Sequence, residues 1–166
     1  MTESAADLLV LLRELDDPDW LEWPRNFDRR EIAVRFGLLV DRLEGDFAVH
    51  CTTVADRQTQ DSSEYGRIFV PGDATLCGTR IVVCVSQFGS LALVCADNPG
   101  AFLGTEEAQA EGELDSADLA RINRALDELG YVVVPEELLE SDYDGPSRLP
   151  SHARRPNWWD RFFGYF

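Results

Sequence analysis

Arg80-Ile-Val-Val-Cys-Val-Ser-Gln-Phe-Gly-Ser-Leu-Ala-Leu-Val-Cys-Ala96 is the stretch on which the fold turns. Two short runs rich in Val, Ile and Leu are split by Gly89-Ser90, and glycine supplies the positive φ that a tight hairpin turn needs at its first central position. The stretch reads as a β-hairpin. A two-residue turn pairs Phe88 with Leu91, Ser86 with Leu93 and Cys84 with Cys95, which puts those six side chains on one face. Ile81, Val83, Val85, Ala92, Val94 and Ala96 then share the other. Both faces are mostly apolar, whereas a half-exposed hairpin alternates apolar with charged residues. The hairpin therefore belongs in the middle of a sheet that is covered on both sides.

The covering elements are read outward from it. Ser4 and Asp7 make a capped start for a helix near 5–16, with Leu8, Leu11, Leu12 and Leu15 at helical spacing and Pro18 beyond its end. Asp28 and Glu31 form a capping-box pattern for a second helix near 28–44, with the stripe Ile32, Phe36, Leu39 and Leu43 and a stop at Gly45-Asp46. The period then changes to two, and a strand is expected over about 46–55. A second strand is expected over 65–70. Ser116 opens the clearest helix, 116–129, with the stripe Leu119, Ile122, Leu126 and Leu129 and a closing Gly130. Tyr131-Val-Val-Val-Pro135 is then a fifth strand, and the helix before it allows a crossover parallel to a neighbour. Pro135 to Glu140 reads as one or two helical turns with proline at the start. The tail Asn157–Phe166 carries six aromatic residues; as a helix it forms a stripe too large to leave in water, and docking on its own domain covers the hairpin's second face. The expected fold is α+β: a single domain with an antiparallel meander of four to five strands around the hairpin 80–96, packed by helices near 5–16, 28–44 and 116–129 and by the aromatic tail.

The chain has 166 residues and a formal charge of −16, and all fifteen basic residues are Arg. A chain of this length can bury a core, removing roughly 70% of its unfolded surface from water. The charge speaks against nucleic-acid binding and against an anionic membrane surface, both of which need a cationic face. No stretch approaches a membrane span, and the acidic start with its short Leu8–Leu12 run does not resemble a signal peptide; a cytoplasmic protein is expected. Cys51, Cys77, Cys84 and Cys95 lack metal-ligand spacing and read as buried thiols.

Acidity is concentrated. Between Glu106 and Asp144 thirteen carboxylates face Arg121 and Arg124, so this segment supplies −11 of the −16. Such a face speeds and orients encounter with a basic protein. Glu106, Glu107, Glu111, Glu113, Asp115, Asp118, Asp127 and Glu128, with the aromatic anchors Trp158 and Trp159, are the candidate partner-binding residues. A second candidate is the polar loop Gln60, Asp61, Ser62 and Ser63 at a sheet end, where a small hydrolase-type enzyme with His50 or Asp61 as base would have to be assembled from distant segments. No catalytic signature, phosphate loop or cofactor motif is present, and Asp142-Tyr-Asp-Gly145 lacks the bidentate Glu of a calcium loop, so neither a metal nor a cofactor is expected. A homodimer through the aromatic tail is the third alternative.

The succession Gln60-Asp61-Ser62-Ser63, Phe88-Gly89-Ser90-Leu91, Asn98-Pro99-Gly100, Gly130-Tyr-Val-Val-Val-Pro-Glu136, Tyr143-Asp144-Gly145 and Trp158-Trp-Asp-Arg-Phe-Phe163 resembles the small acidic α+β immunity proteins that accompany secreted polymorphic toxins in actinobacteria. The likeness covers about 58–166 and carries no functional-residue motif. It implies a cytoplasmic protein that binds and blocks a toxin domain without turnover, in keeping with an acidic face turned toward a basic partner.

Overall fold

The computed structural model describes residues 4–55, 62–149 and 154–164. Gln60 and Asp61 lie outside these, as do His152 and Phe166. The elements in order are α1 (Ala5–Leu15), α2 (Arg29–Phe47), β1 (Thr52–Ala55), β2 (Glu64–Val70), β3 (Ile81–Ser86), β4 (Leu91–Ala96), α3 (Gly104–Ala110), α4 (Ser116–Glu128), β5 (Val132–Val133), α5 (Glu136–Leu139) and α6 (Trp158–Phe163). The architecture is α+β, with one five-stranded sheet in the order β1-β2-β3-β4-β5. Four strands form the expected antiparallel meander. β5 departs from it: the α3–α4 crossover returns it parallel to β4, so the sheet is mixed.

Every residue of β3 and β4 is buried, as two apolar faces require. One core contains Ile81, Val83, Val85, Ala92, Val94 and Ala96 under α2 and α4; the other contains Val82, Cys84, Leu91, Leu93 and Cys95 under α1, α5 and α6. The faces are those expected, but the register differs by two. Val85 pairs with Ala92 and Cys84 with Leu93, leaving a four-residue connection. Gly89 and Ser90 both take positive φ, 55° and 57°, and Leu91 N–H donates to Phe88 O at 3.0 Å. Ser86 is the reason for the longer connection: its Oγ accepts the Phe88 N–H at 3.1 Å and donates to Phe162 O at 2.7 Å. An even slip keeps every side chain on its face.

Three expectations are corrected. α2 runs through Gly45 to Phe47, because Phe36, Leu39, Leu43 and Phe47 continue one buried helical stripe. It ends at Ala48 with φ 52°, so β1 begins only at Thr52; the short alternation Phe47, Val49, Cys51 fits a helix end as well as a strand. α4 is capped by Asp115, whose side chain accepts from Ala117 N–H at 2.8 Å, rather than by Ser116. Among the described residues no helix is long and apolar enough to cross a membrane.

The tail docks on its own sheet. Trp158, Phe162 and Phe163 are buried, and Phe88 meets Phe162 edge-on with ring centroids 5.4 Å apart. Arg161 lies on the same helix with 0% of its side chain exposed, 2.6 Å from Asp16 Oδ1. Its other nitrogens donate to the carbonyls of Asp17, Trp20 and Leu21, while its guanidinium sits 4.6 Å over the Phe88 ring. Asp16 also accepts from Ser147 Oγ at 2.5 Å and from the Tyr143 hydroxyl.

Removing one member of a buried, hydrogen-bonded pair strands the other charge, so Arg161→Ala is expected to lower stability by about 3–5 kcal/mol, and Arg161→Met, paired with Asp16→Leu, by much less. Urea unfolding of the three proteins checks this. Thiol reactivity provides a second check. Burial pushes the Cys84 and Cys95 thiols well up and Cys51 to about 11, whereas Cys77 is only half-buried. A disulfide reagent at mildly alkaline pH should modify Cys77 first, with the other three released on unfolding; Cys77→Ser should abolish the early phase.

Candidate functional site

The serines of the polar loop are structural donors. A helix leaves its last carbonyls without intrahelical partners, and at the end of α6 the chain around Ser62 and Ser63 supplies them. Ser63 N–H and Ser62 Oγ each donate to Gly164 O at 3.0 Å, and Ser63 Oγ points to the same carbonyl at 3.4 Å. Gln87 Nε2 closes the junction by donating to Ser62 O at 2.7 Å. Both serines are buried. His50, the base considered for them, is 92% exposed and 2.9 Å from Glu44. Their hydroxyls are thus committed to backbone carbonyls.

The acidic segment divides into working parts. Asp115 caps α4. Asp118 is buried and accepts from Leu76 N–H at 2.8 Å, tying the α4 N-terminus to the loop before β3. Glu113 accepts from the Thr79 hydroxyl and Glu107 from Leu103 N–H. Glu128 pairs with Arg42 across α2 and α4 at 2.5 Å. Trp158 is 1% exposed and Trp159, half-buried, stacks on Phe163 at 5.2 Å. Asp118 and Trp158 therefore belong to the interior. Glu106, Glu107, Glu111, Asp127 and Glu128 stand on the surface, joined there by Glu137 of α5 and by Glu140, its C-cap.

α3 and α5 meet closely because Gly104, at φ 89°, leaves the space a Cβ would take to the carboxylate of Glu137. Glu137 is exposed overall, but partial desolvation of its carboxylate against Gly104 raises the carboxyl above its ordinary range, and Glu106 and Glu140 push it further in the same direction. Its neighbour in the chain, Glu136, is 5% exposed. Its Oε1 accepts from Gly100 N–H at 2.7 Å, and Cys95 Sγ lies 3.7 Å from Oε2; no cation pairs with it among the described residues. Burial raises its carboxyl too.

Two concavities of about 500 Å³ and 520 Å³ border Glu136. The first contains Arg67, Arg154 and Arg155, but each faces a carboxylate: Glu64 at 2.5 Å, Asp160 at 2.7 Å and Asp142 at 3.6 Å. It is self-neutralised. The second is a groove along β5, with Leu8 of α1 on one side and Leu119, Asn123 and Asp127 of α4 on the other. Among the described residues no cluster of His, Cys, Asp and Glu is placed to hold a metal ion. What the arrangement can do is bind: it offers a band of carboxylates beside an apolar trough. Glu136 escaped the sequence reading because a Glu after Pro135 looks like an ordinary first-turn residue, and the fold that buries it comes from Gly100 and Cys95.

No family model matches the chain, and no curated protein or solved structure shows significant similarity to it.

A carboxyl raised by burial holds its proton in the folded state at pH values where the unfolded chain has lost it, so stability falls as pH rises through that window. Glu136→Gln is expected to stabilise the fold at pH 7, with a gain that shrinks toward pH 4 as the parent's carboxyl becomes protonated. Urea unfolding of both proteins across that range measures it.

Proposed function

We propose that this is a non-catalytic protein-binding module of the immunity or inhibitor kind, which holds a basic partner such as a toxin domain against the acidic surface of α3, α5 and the end of α4. The observation that carries this reading is the concentration of exposed carboxylates without counter-ions. Glu106, Glu111, Asp127, Glu137 and Glu140 are all exposed, and none has a salt-bridge partner among the described residues, unlike Glu128 with Arg42 or Asp97 with Arg80. Like charges kept together cost folding energy, and a basic partner offsets that cost on binding.

The commitment of Ser62 and Ser63 to backbone carbonyls supports the same reading. Self-association through the tail loses ground, since Trp158, Phe162 and Phe163 are already covered. Surface carboxylates would steer the encounter, and affinity would come from the apolar ground beside them.

The experiment is co-expression with a basic C-terminal toxin domain encoded next to this protein's gene. The expected result is a complex at low salt, restored growth of the host, and affinity that declines as salt is added. Glu106→Lys, Glu107→Lys and Glu111→Lys together should weaken the complex by about tenfold or more, chiefly through slower association. No complex at low salt, or one indifferent to the triple substitution, overturns the proposal.

A further inference from the structure

β5 is the last strand of the sheet, and its outer edge is the floor of the second groove. Val132 and Val134 donate their N–H groups to Ser90 O and Ala92 O, both at 2.9 Å. Backbone groups alternate in direction along a strand, so the N–H and C=O of Val133 point away from β4 toward the open side. α1 and α4 rise on either side of this edge, contributing Leu8 and Leu119. The trough therefore has apolar walls and a floor that can continue a ladder.

Its polar groups are unusual. Among the described residues two buried side-chain atoms have no hydrogen-bond partner, Asn123 Oδ1 and the Tyr131 hydroxyl. Both residues line this groove, and Tyr131 is only 5% exposed. Buried polar atoms are nearly always paired, so two exceptions on residues that line one trough fit a ligand that brings hydrogen-bonding groups once the walls adjust to it. The amide oxygen of Asn123 takes only donors. Asp127 and the uncompensated Glu136 line the same groove, and among the described residues no basic one does. The chemistry asked for is donor-rich and cationic.

We infer that the groove receives an extended basic segment of the protein partner, which adds to β5 as a further strand and directs a cationic side chain toward Glu136. Strand addition matches the features together: main-chain bonds go to Val133, alternate side chains lie on the walls of α1 and α4, and a guanidinium or ammonium supplies the charge that Glu136 lacks. The inference rests on the protein-binding reading above and names where and how that partner is held. It also explains a destabilising feature, since a buried carboxylate kept without a counter-charge weakens the free fold but is neutralised in the complex.

The test uses the full chain and a short fluorescein-labelled peptide alternating arginine and valine, read by anisotropy. A matched peptide alternating glutamate and valine is the control. Two further versions carry N-methyl groups on the arginine amides or on the valine amides, so each loses the donors of one edge. Binding of the arginine peptide but not the glutamate peptide is expected. One methylated version should bind about tenfold or more weakly while the other matches the parent, because only one edge meets β5. Glu136→Gln should weaken the arginine peptide by about tenfold while its unfolding curve shows an intact fold. Absence of binding, equal binding of both methylated versions, or an unchanged affinity in Glu136→Gln overturns the inference. The two proposals fail separately. If the triple substitution on α3 releases the toxin domain while the methylated peptides and Glu136→Gln show no effect, the groove is wrong and the acidic-face reading stands. If the peptide binds as described but no toxin domain is held, the partner reading fails and the groove remains.

Discussion

Asp16 and Arg161 are 145 positions apart in the chain, and their contact in the interior organises one whole side of the molecule. Two charges removed from water are tolerable only if every remaining lone pair and N–H finds a partner. Here they do: Arg161 serves Asp16 and the carbonyls of Asp17, Trp20 and Leu21, while Asp16 also receives Ser147 and Tyr143. One ion pair thus draws the exit of α1, the loop after it, the 143–147 segment and α6 to a single point. With α6 held there, its aromatic side chains seal the second face of the central hairpin, and Ser62, Ser63 and Ser86 complete the seal by donating to the carbonyls of Phe162 and Gly164.

The same reasoning separates the two buried carboxylates. Asp16 has an arginine, two hydroxyl donors and a neighbourhood in which each group is satisfied. Glu136 has one backbone N–H and a weak thiol donor, and it lies between two open concavities. The first carboxylate belongs to the architecture. The second is a charge the fold tolerates without completing, next to unpaired Asn123 and Tyr131 atoms and an open strand edge. Departures from local satisfaction gather at functional places, and here three of them share one trough beside the exposed acidic band.

Much of the fold was legible in residues. The capping patterns at Ser4 and Asp28, the stripes of α2 and α4, and the double-sided apolar hairpin each express a short-range rule, and an even slip in the hairpin's register left its faces unchanged. The Phe47, Val49, Cys51 alternation spans too few residues to separate a helix end from a strand, and at the start of α4 the adjacent Asp115 and Ser116 both carry capping side chains, of which Asp115 takes the Ala117 N–H. Within the acidic segment, charge alone could not distinguish the carboxylates that cap, bridge or sit buried from those that face solvent.

By itself the sequence determined the α+β composition, a central hairpin needing cover on both faces, and a strong local excess of negative charge, because periodicity, turn chemistry and net charge depend on neighbours in the chain. Only the tertiary structure decided that Ser62 and Ser63 hold the tail, that Arg161 is sealed against Asp16, and that Glu136, Asn123, Tyr131 and the edge of β5 meet in one groove. Those facts depend on burial and on partners far away in sequence, and desolvation acts on a side chain according to where the fold places it.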